Sequence, residues 1–361
     1  MANEIEISVI IPVFNSANSL PALITNLRSQ ESKNIEFLLI DDGSTDSSTN
    51  IIDNAVKSDA RFRLVKCSHF GTGRARNFGI KLARGNYVFF LDADDAIAAP
   101  DALSKLLATA RNLKVDICGG SIRFVKRGKC INSMCHWDSD VTFSSTGYEG
   151  LAYEPFEYFS TISKYDYSKY QYDAGFTRFI YSKELLLNSN VLFPEGRYFE
   201  DPVFFTRAMH AAGTFGTIPD PVYIYNIGWH PIIRDEAYYL ETLNGLISNY
   251  EFALENDYKQ LQLITRYRFT RYSDLDLIIN DNNYELLKGA VEKTWQLVSG
   301  LDTSLTISEL PECVRCVRDY KTPKWNSPKS VFSRGKRKAK DWFVNYIKRG
   351  IKALQSLLAS Q

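Results

Sequence analysis

The stretch FFLDADDAIAAP, residues 89–100, passes from an apolar run directly into a cluster of carboxylates. The segment from Tyr87 to Leu91 has the composition of a buried strand. Asp92, Asp94 and Asp95 follow it at once, and three such side chains repel one another unless a positive charge lies between them. A carboxylate cluster at the end of a buried strand therefore indicates a site that binds a cation.

Strand-like and helix-like segments alternate over the first 125 residues around this stretch. Apolar runs rich in β-forming residues alternate with segments in which apolar residues recur at helical spacing. The predicted strands are 6–14, 35–42, 61–67, 86–95 and 115–125, and the predicted helices are 19–30, 43–57, 75–85 and 100–114. This alternation predicts an α/β fold with a mostly parallel, Rossmann-like sheet flanked by helices.

Several polar groups follow the predicted strands where each strand ends. Asp41 and Asp42 close the second strand, and Gly71-Thr-Gly73 follows the third. The Asp92–Asp95 cluster closes the fourth. Because ligands in parallel sheets bind at the carboxyl ends of the strands, these groups are expected to meet at one edge of the sheet.

The remainder of the chain is less regular. Residues 136–180 are rich in tyrosine and only weakly periodic, residues 193–213 resemble a loop leading into a helix that starts at Pro202, and residues 220–230 alternate like a strand. From residue 235 to about 301 the pattern is helical. The predicted domains are 1–234, divided into halves 1–125 and 126–234, a C-terminal helical extension 235–320 and a tail 321–361.

Composition limits the class of protein. The chain has 361 residues, of which 45% are hydrophobic and 24% charged, as in ordinary globular proteins. We expect no signal peptide, and no stretch reaches the roughly 20 apolar residues that a membrane-spanning helix needs. Six cysteines without a disulfide-like pattern favour a reducing cytoplasm. A zinc site built from Cys313, Cys316, Cys130 and Cys135 is less favoured, because no histidine lies near either pair.

Two families that bind ligands at such an edge fit poorly. A dinucleotide-binding site would need a third glycine in the Gly71–Arg76 turn, and that turn would have to follow the first strand. A phosphatase with an Asp-x-Asp nucleophile would carry it on its first strand, whereas three strand–helix units precede Asp92 here. The phosphatase remains an alternative.

Four blocks of sequence, taken together, resemble glycosyltransferase family 2, the bacterial polysaccharide type with the GT-A fold. They are ISVIIPVFN (7–15), FLLIDDGSTDSS (37–48), GRARNFGIKLARGNYVFFLDADD (73–95) and YFEDPVFF (198–205). The blocks occur in the order typical of the family and cover about residues 5–230. The resemblance implies that residues 1–125 bind the nucleotide and residues 126–234 bind the acceptor.

The resemblance also implies roles for single residues. The donor would be a UDP-sugar, with Pro12, Phe14 and Asn15 lining the nucleotide pocket and Asp41 accepting a hydrogen bond from uracil. Arg76 would lie near the base and ribose with its charge toward the phosphates. Asp94 would bind Mn²⁺ or Mg²⁺ directly, and Asp92 would contact the ribose or the metal; Asp oxygens are ligands that these ions prefer. Asp95 is interpreted as a cap of the following helix.

The acidic pair Glu200-Asp201 matches the position of the catalytic base in this family. A single carboxylate near the acceptor hydroxyl is enough for an inverting transfer. Asp201 is assigned as the base and Glu200 as an acceptor-orienting neighbour, while capping of the next helix stays open as the alternative. His230 would close over the diphosphate or complete the metal shell, and a structural role is equally open for it; Arg234 would replace an arginine typical of the family.

The tail carries most of the chain's basic charge. From Lys321 onward it holds 11 Lys and Arg against one acidic residue, so the tail has a net charge of +10 and the preceding residues −9. Apolar residues recur at helical spacing from Trp342 to Leu358. A basic amphipathic helix favours anchoring at an anionic membrane surface, over packing on a partner or nonspecific nucleic-acid binding.

These observations predict an inverting, metal-dependent glycosyltransferase. It would act at the inner face of the cytoplasmic membrane on a glycan or lipid-linked acceptor of a surface polysaccharide such as capsule, lipopolysaccharide or teichoic acid. No specific nucleic-acid partner is expected, and residues 235–320 could form a separate domain, an oligomer interface or an acceptor platform. The alternatives are a phosphatase or nucleotidyltransferase that uses the same aspartates, and a non-catalytic sugar-nucleotide-binding module.

Overall fold

The computed structural model of the chain describes residues 4–69, 71–126, 129–130, 161–227 and 235–269. Several predicted features lie outside these ranges. They are His230, Arg234, the basic tail 321–361, three of the four cysteines of the zinc alternative, and the helical extension beyond residue 269.

The first part of the chain forms the alternating elements that its pattern predicts. Every predicted strand and helix up to residue 126 is present, with ends shifted by a few residues. The elements are β1 (Ile7–Val13), α1 (Leu20–Arg28), β2 (Ile35–Asp41), α2 (Ser48–Ser58), β3 (Phe62–Lys66), α3 (Thr72–Leu82), β4 (Tyr87–Phe90), β5 (Ala96–Ile97), α4 (Ala102–Leu113) and β6 (Ile117–Lys126). Because α4 begins only at Ala102, after β5, the interpretation of Asp95 as a helix cap is wrong.

The second part contributes four strands and four helices within the described residues. They are β7 (Lys129–Cys130), β8 (Ser163–Asp166), β9 (Phe179–Ser182), α5 (Lys183–Asn188), α6 (Glu200–Ala212), β10 (Thr214–Ile227), α7 (Glu236–Glu255) and α8 (Lys259–Phe269). The helix expected to start at Pro202 begins two residues earlier, at Glu200.

All ten described strands belong to one sheet, in the order β3-β2-β1-β4-β9-β6-β10-β5, with β7 paired to β6 and β8 paired to β10. β1 pairs in parallel with β2 and β4, and β2 pairs in parallel with β3. β9 lies between β4 and β6 and is antiparallel to both. β6 and β10 are parallel to each other. Most of the described strands therefore run in one direction, as predicted; β9 is reversed and joins the two parts, and β5, β7 and β8 are antiparallel to their neighbours.

A separate layer of buried side chains covers each face of the sheet. Val9 and Ile11 of β1 pack with residues of α1, α2 and α4, while Ile10 packs with residues of α3 and α6. Because β1 is buried on both faces, it needs the nearly continuous apolar run seen in the sequence. Each such fully buried aliphatic side chain contributes about 1.5–3 kcal/mol to folding.

Aromatic side chains make up much of the second layer. The rings of Phe193 and Phe204 stack with centroids 3.8 Å apart, and Phe90 packs edge-on against both. Phe176 contacts Phe90 and Phe193. These packed aromatic rings support the edge of the sheet at which the predicted site residues lie.

In the part of the chain that the structure describes, the helices are too short or too polar to cross a membrane.

Candidate active site

The carboxyl ends of β2, β3 and β4 form one edge of the sheet. Asp41 is the last residue of β2, Gly71 precedes α3, and Asp92 lies two residues beyond the end of β4. Since these three strands and β1 run in the same direction, their ends lie together. The predicted convergence of strand ends is confirmed.

Asp41 anchors a tight turn at this edge. The side chain is buried, its Oδ1 accepts a hydrogen bond from the Ser44 amide at 2.9 Å, and its Oδ2 accepts one from the Thr49 hydroxyl. Asn15 has a left-handed backbone (φ 48°), and its Oδ1 accepts from the Thr45 amide at 2.8 Å. The two polar side chains therefore fix the turn against the end of β1, where Pro12 pairs with Ile40.

An aromatic pair lies beside this turn. The rings of Phe14 and His69 stack with centroids 4.1 Å apart, and Phe14 keeps 44% of its surface exposed. His69 Nδ1 lies 3.1 Å from the Asp42 carbonyl oxygen and 3.2 Å from Asp42 Oδ2. An exposed stacked pair next to Asp41 offers a flat surface for a planar ring. The sequence prediction included Phe14 and missed His69, whose only sequence signal is that it follows β3.

The turn Asp92–Asp95 that follows β4, here called the acidic turn, is held by hydrogen bonds from β10. Buried Asp95 accepts hydrogen bonds from the Tyr223 hydroxyl at 2.6 Å and from the Asn226 amide at 2.7 Å. The Asn226 side chain donates to the Asp94 carbonyl oxygen at 2.6 Å. Burial, together with the charges of Asp92 and Asp94, raises the pKa of Asp95 well above its usual range. Asp95 is thus a structural support of the turn.

Arg76 connects the acidic turn to the acidic pair. Its guanidinium lies 2.7 Å from Asp92 Oδ1 and 2.7 Å from Glu200 Oε1, over the rings of Phe176 and Phe193. Burial lowers the pKa of Arg76, but the neighbouring Asp92 and Glu200 outweigh it and the net pKa is raised. The sequence interpretation directed the charge of Arg76 at the donor phosphates, whereas in the structure the buried guanidinium is directed at two carboxylates.

The acidic pair lies in the first turn of α6. Glu200 is buried against Arg76, whereas Asp201 keeps partial exposure to solvent. Burial raises the pKa of both carboxyls, and the positive charge of Arg76 opposes this rise without cancelling it. Carboxyls of raised pKa in the first helical turn are suited to accept a proton near neutral pH.

The composition of the edge fits a divalent cation. Asp92 keeps 30% of its side-chain surface exposed although Arg76 holds one oxygen, and Asp94 is half-buried beside it. Hard carboxylate oxygens with open coordination positions suit Mg²⁺ and Mn²⁺. The described residues contain no group of three or more His, Cys, Asp or Glu arranged as a complete metal cage. The pair could therefore supply only part of a coordination shell.

The fold and this edge define a GT-A-like α/β protein with a candidate ligand site at the carboxyl ends of its parallel strands. The sequence profile of the family described as glycosyl transferase family 2 matches residues 8–181. The matched segment contains Asp41, Arg76 and the acidic turn. Over residues 8–181 the chain matches glycosyltransferase family 2, so the family resemblance predicted from the sequence is confirmed for that segment.

Curated relatives agree over a longer segment. The chain is 28% identical over 232 residues to the glycosyltransferase EpsH of Bacillus subtilis (strain 168), a match covering 63% of this chain and 62% of EpsH. It is 29% identical over 229 residues to the uncharacterized glycosyltransferase EpsJ of the same organism, covering 61% and 60%. The chain thus spans about three fifths of the length of these relatives.

Solved structures agree on the fold. S. aureus TarS residues 1–349 in complex with UDP-GlcNAc aligns with a TM-score of 0.59 at 19% identity, covering 86% of this chain and 83% of that one. TarS 1–349 without a named ligand aligns with a TM-score of 0.55 at 20% identity, covering 75% and 73%. The GT-A fold predicted from the sequence is confirmed.

Proposed function

We propose that this chain is an inverting glycosyltransferase that transfers a sugar from a UDP-sugar to a glycan or lipid-linked acceptor of a bacterial surface polysaccharide. One observation carries the proposal. Arg76 joins an acidic turn at the strand ends to an acidic pair on α6, so carboxylates suited to a divalent cation and carboxylates suited to proton removal lie within one site. The family of residues 8–181 and the likeness to EpsH support it.

The donor base would bind at the turn that Asp41 anchors. Each Asp41 oxygen has one hydrogen-bond donor from the protein, and a carboxylate oxygen can accept a second. The uracil ring carries an N–H group that matches this acceptor. Pro12, Phe14 and Asn15 line the same side of the edge. Binding of UDP-GlcNAc by TarS, a protein of the same fold, supports a uridine donor.

Asp94 and Asp92 would hold Mn²⁺ or Mg²⁺. When bound, the ion neutralises the developing charge of the diphosphate leaving group. Asp95 and Asn226 fix the backbone of the turn, so both ligands are oriented before a donor arrives. Arg76 keeps Asp92 in place from the opposite side.

Asp201 is assigned as the general base and Glu200 as its acceptor-side neighbour. The acceptor hydroxyl oxygen forms a bond to the anomeric carbon, the bond from that carbon to UDP breaks, and the hydroxyl proton passes to Asp201. UDP leaves with the bonding electrons, and a single displacement inverts the anomeric centre. Asp201 is preferred over Glu200 for this role because Glu200 forms the buried ion pair with Arg76.

Two further assignments depend on residues outside the described ranges. His230, or Arg234, would contact the diphosphate, and the basic tail 321–361 would place the protein on the cytoplasmic face of the membrane. Their support is the sequence pattern alone.

The test is release of UDP from a panel of UDP-sugars with Mn²⁺ or Mg²⁺ present. We expect release from one donor, its loss on chelation, and its loss in Asp94→Ala and Asp201→Asn. Release of inorganic phosphate or pyrophosphate instead of UDP would favour the phosphatase or nucleotidyltransferase alternative. Donor binding without turnover under all conditions would favour a non-catalytic module.

A further inference from the structure

Residues 196–199, here called the approach segment, lead directly into Glu200 and Asp201. Their backbone is held by a residue of α7. Glu241 Oε2 accepts a hydrogen bond from the Arg197 amide at 2.8 Å and another from the Tyr198 amide at 2.9 Å. One carboxylate oxygen therefore binds two successive amides of the segment, as in a helix cap supplied by another element.

Side chains of the approach segment also pack against α7 and α8. A Cβ atom placed on Gly245 would lie 2.5 Å from Phe199 Cδ1, so the glycine makes room for this ring. Arg268 of α8 lies 5.3 Å from the Phe199 ring centroid and forms a buried ion pair with Asp173 at 2.6 Å. The ring is thus held from two helices.

The opposite side of the approach segment contacts the donor half. The Gly73 amide of α3 donates to the Gly196 carbonyl oxygen at 3.1 Å. A Cβ atom on Gly73 would lie 2.2 Å from the Pro194 carbonyl oxygen, so the backbones approach closely. The segment is therefore enclosed between α3, which carries Arg76, and α7.

Phe199, at the end of the enclosed approach segment, has an unusual backbone conformation. Phe199 has φ 59°, a left-handed conformation that is uncommon for a bulky residue and persists where the surroundings hold it. The next two residues are Glu200 and Asp201. The direction in which α6 starts, and with it the place of the Asp201 carboxylate, depends on this one turn.

We propose that α7 and α8 are a positioning component of the active site, and that Glu241 is the positioning residue that fixes the approach segment and so the Asp201 carboxylate. The inference rests on the proposed function of Asp201. It assigns a role to residues 236–269 within the catalytic unit. Glu241 itself touches no reacting atom; it acts through the amides of Arg197 and Tyr198.

The decisive comparison is between Glu241→Ala and Glu241→Gln. The glutamine amide oxygen can still accept both hydrogen bonds, whereas alanine leaves both amides without their acceptor. We expect kcat of the alanine variant to fall about 10- to 100-fold, since a displacement of about 1 Å has that effect on a reacting group. KM for the UDP-sugar should stay within about twofold in both variants, because the donor site is retained. The kcat of the glutamine variant should stay within about threefold of the unchanged protein, because the glutamine oxygen still accepts the hydrogen bonds of the two amides.

Hydrogen exchange gives a readout that does not depend on turnover. The Arg197 and Tyr198 amides should exchange faster in Glu241→Ala and at the original rate in Glu241→Gln. The matched control is Glu255→Ala, which removes an exposed glutamate at the far end of the same helix and should change neither kcat nor the exchange of these amides.

A second variant guards against loss of folding in Glu241→Ala. Gly245→Ala leaves Glu241 intact but forces the Phe199 ring to move, and it should give the same fall in kcat at constant donor KM. Unchanged kcat in both Glu241→Ala and Gly245→Ala would overturn the proposal, as would a parallel rise in donor KM. If the unchanged protein releases no UDP from any donor, the proposed function fails and this inference with it, whereas the exchange rates still report whether Glu241 holds the segment.

Discussion

Arg76 is the residue on which the site depends most. A planar guanidinium reaches Asp92 and Glu200 at the same time and stacks on two phenylalanine rings, which a lysine ammonium cannot do. The positive charge of Arg76 offsets part of the repulsion among the aspartates that the sequence of residues 89–100 implies. A bound divalent ion would supply further positive charge at this turn.

Replacing Arg76 tests this dependence. Arg76→Met should leave Asp92 and buried Glu200 without their partner and lower the free energy of unfolding by about 3–5 kcal/mol. Urea denaturation measures the change, and Arg74→Met, at an exposed site two residues earlier on α3, is the control that should stay within about 0.5 kcal/mol. An unchanged midpoint for Arg76→Met would contradict the central place given to this ion pair.

The raised pKa of Asp201 predicts a pH dependence. Burial raises the pKa of this carboxyl to about 6, and a base can accept a proton only when it is ionised. The rate of UDP release should therefore rise with pH up to about 6 and level off above it. A profile of kcat/KM from pH 4.5 to 8 measures this limb; a profile that is flat throughout, or one that falls as pH rises through 6, would remove Asp201 from the role of base.

At the scale of elements, β10 supports the acidic turn Asp92–Asp95, although the two are far apart in sequence. Asn226 bonds both to the Asp94 carbonyl oxygen and to the Asp95 carboxylate, and Tyr223 bonds to Asp95. Neither residue forms part of a sequence motif. Both lie more than 125 residues beyond the turn, which is why the sequence alone could not identify them.

Asn226→Ala should weaken metal binding. Loss of a supporting hydrogen bond typically costs about 10-fold or more in metal affinity, because the ligands are no longer oriented before the ion arrives. Calorimetric titration with Mn²⁺ measures the dissociation constant. The control is Asn54→Ala, at an exposed position of α2. Equal affinities in Asn226→Ala and the unchanged protein would show that β10 does not organise the turn.

Periodicity was sufficient to predict the elements of the first 126 residues, except for the two-residue strand β5. Alternation of apolar runs and helical stripes is set by local sequence, and β1 to β4 follow it closely. The antiparallel strand β9 was not predicted, because its four residues lie at the end of the Tyr-rich segment and derive their conformation from pairing with β4 and β6.

Prediction of the candidate site was limited in the same way, because local sequence reveals the ends of elements but not the contacts between residues far apart in the chain. Asp41, Asp92 and the acidic pair could be identified since each adjoins an element end that the pattern reveals. The ion pair of Arg76 with Glu200 joins residues 124 positions apart. The hydrogen bonds between Glu241 and the approach segment depend on how α7 packs. Such contacts arise only from the tertiary arrangement.

At the scale of the whole molecule, the charge of the chain is divided along its length. The tail from Lys321 has a net charge of +10, while the residues before it sum to −9. An acidic main part joined to a basic tail is suited to attach to an anionic surface through the tail alone.

Vesicle binding tests this division. The full chain should sediment with vesicles that contain anionic lipid, should remain in solution with purely zwitterionic vesicles, and should be released as salt is raised, because each basic residue near the surface contributes about 1 kcal/mol that salt screens. A chain ending at residue 320 should not bind. Equal binding of the two chains would contradict an anchoring role for the tail.

The most direct test of the whole account is a crystal structure of the chain with Mn²⁺ and UDP. We expect anomalous scattering from manganese beside Asp94, uracil within hydrogen-bond distance of Asp41, and the diphosphate on the same edge as Arg76. Manganese and UDP bound elsewhere on the molecule, with the ends of β2 and β4 unchanged and empty, would contradict it.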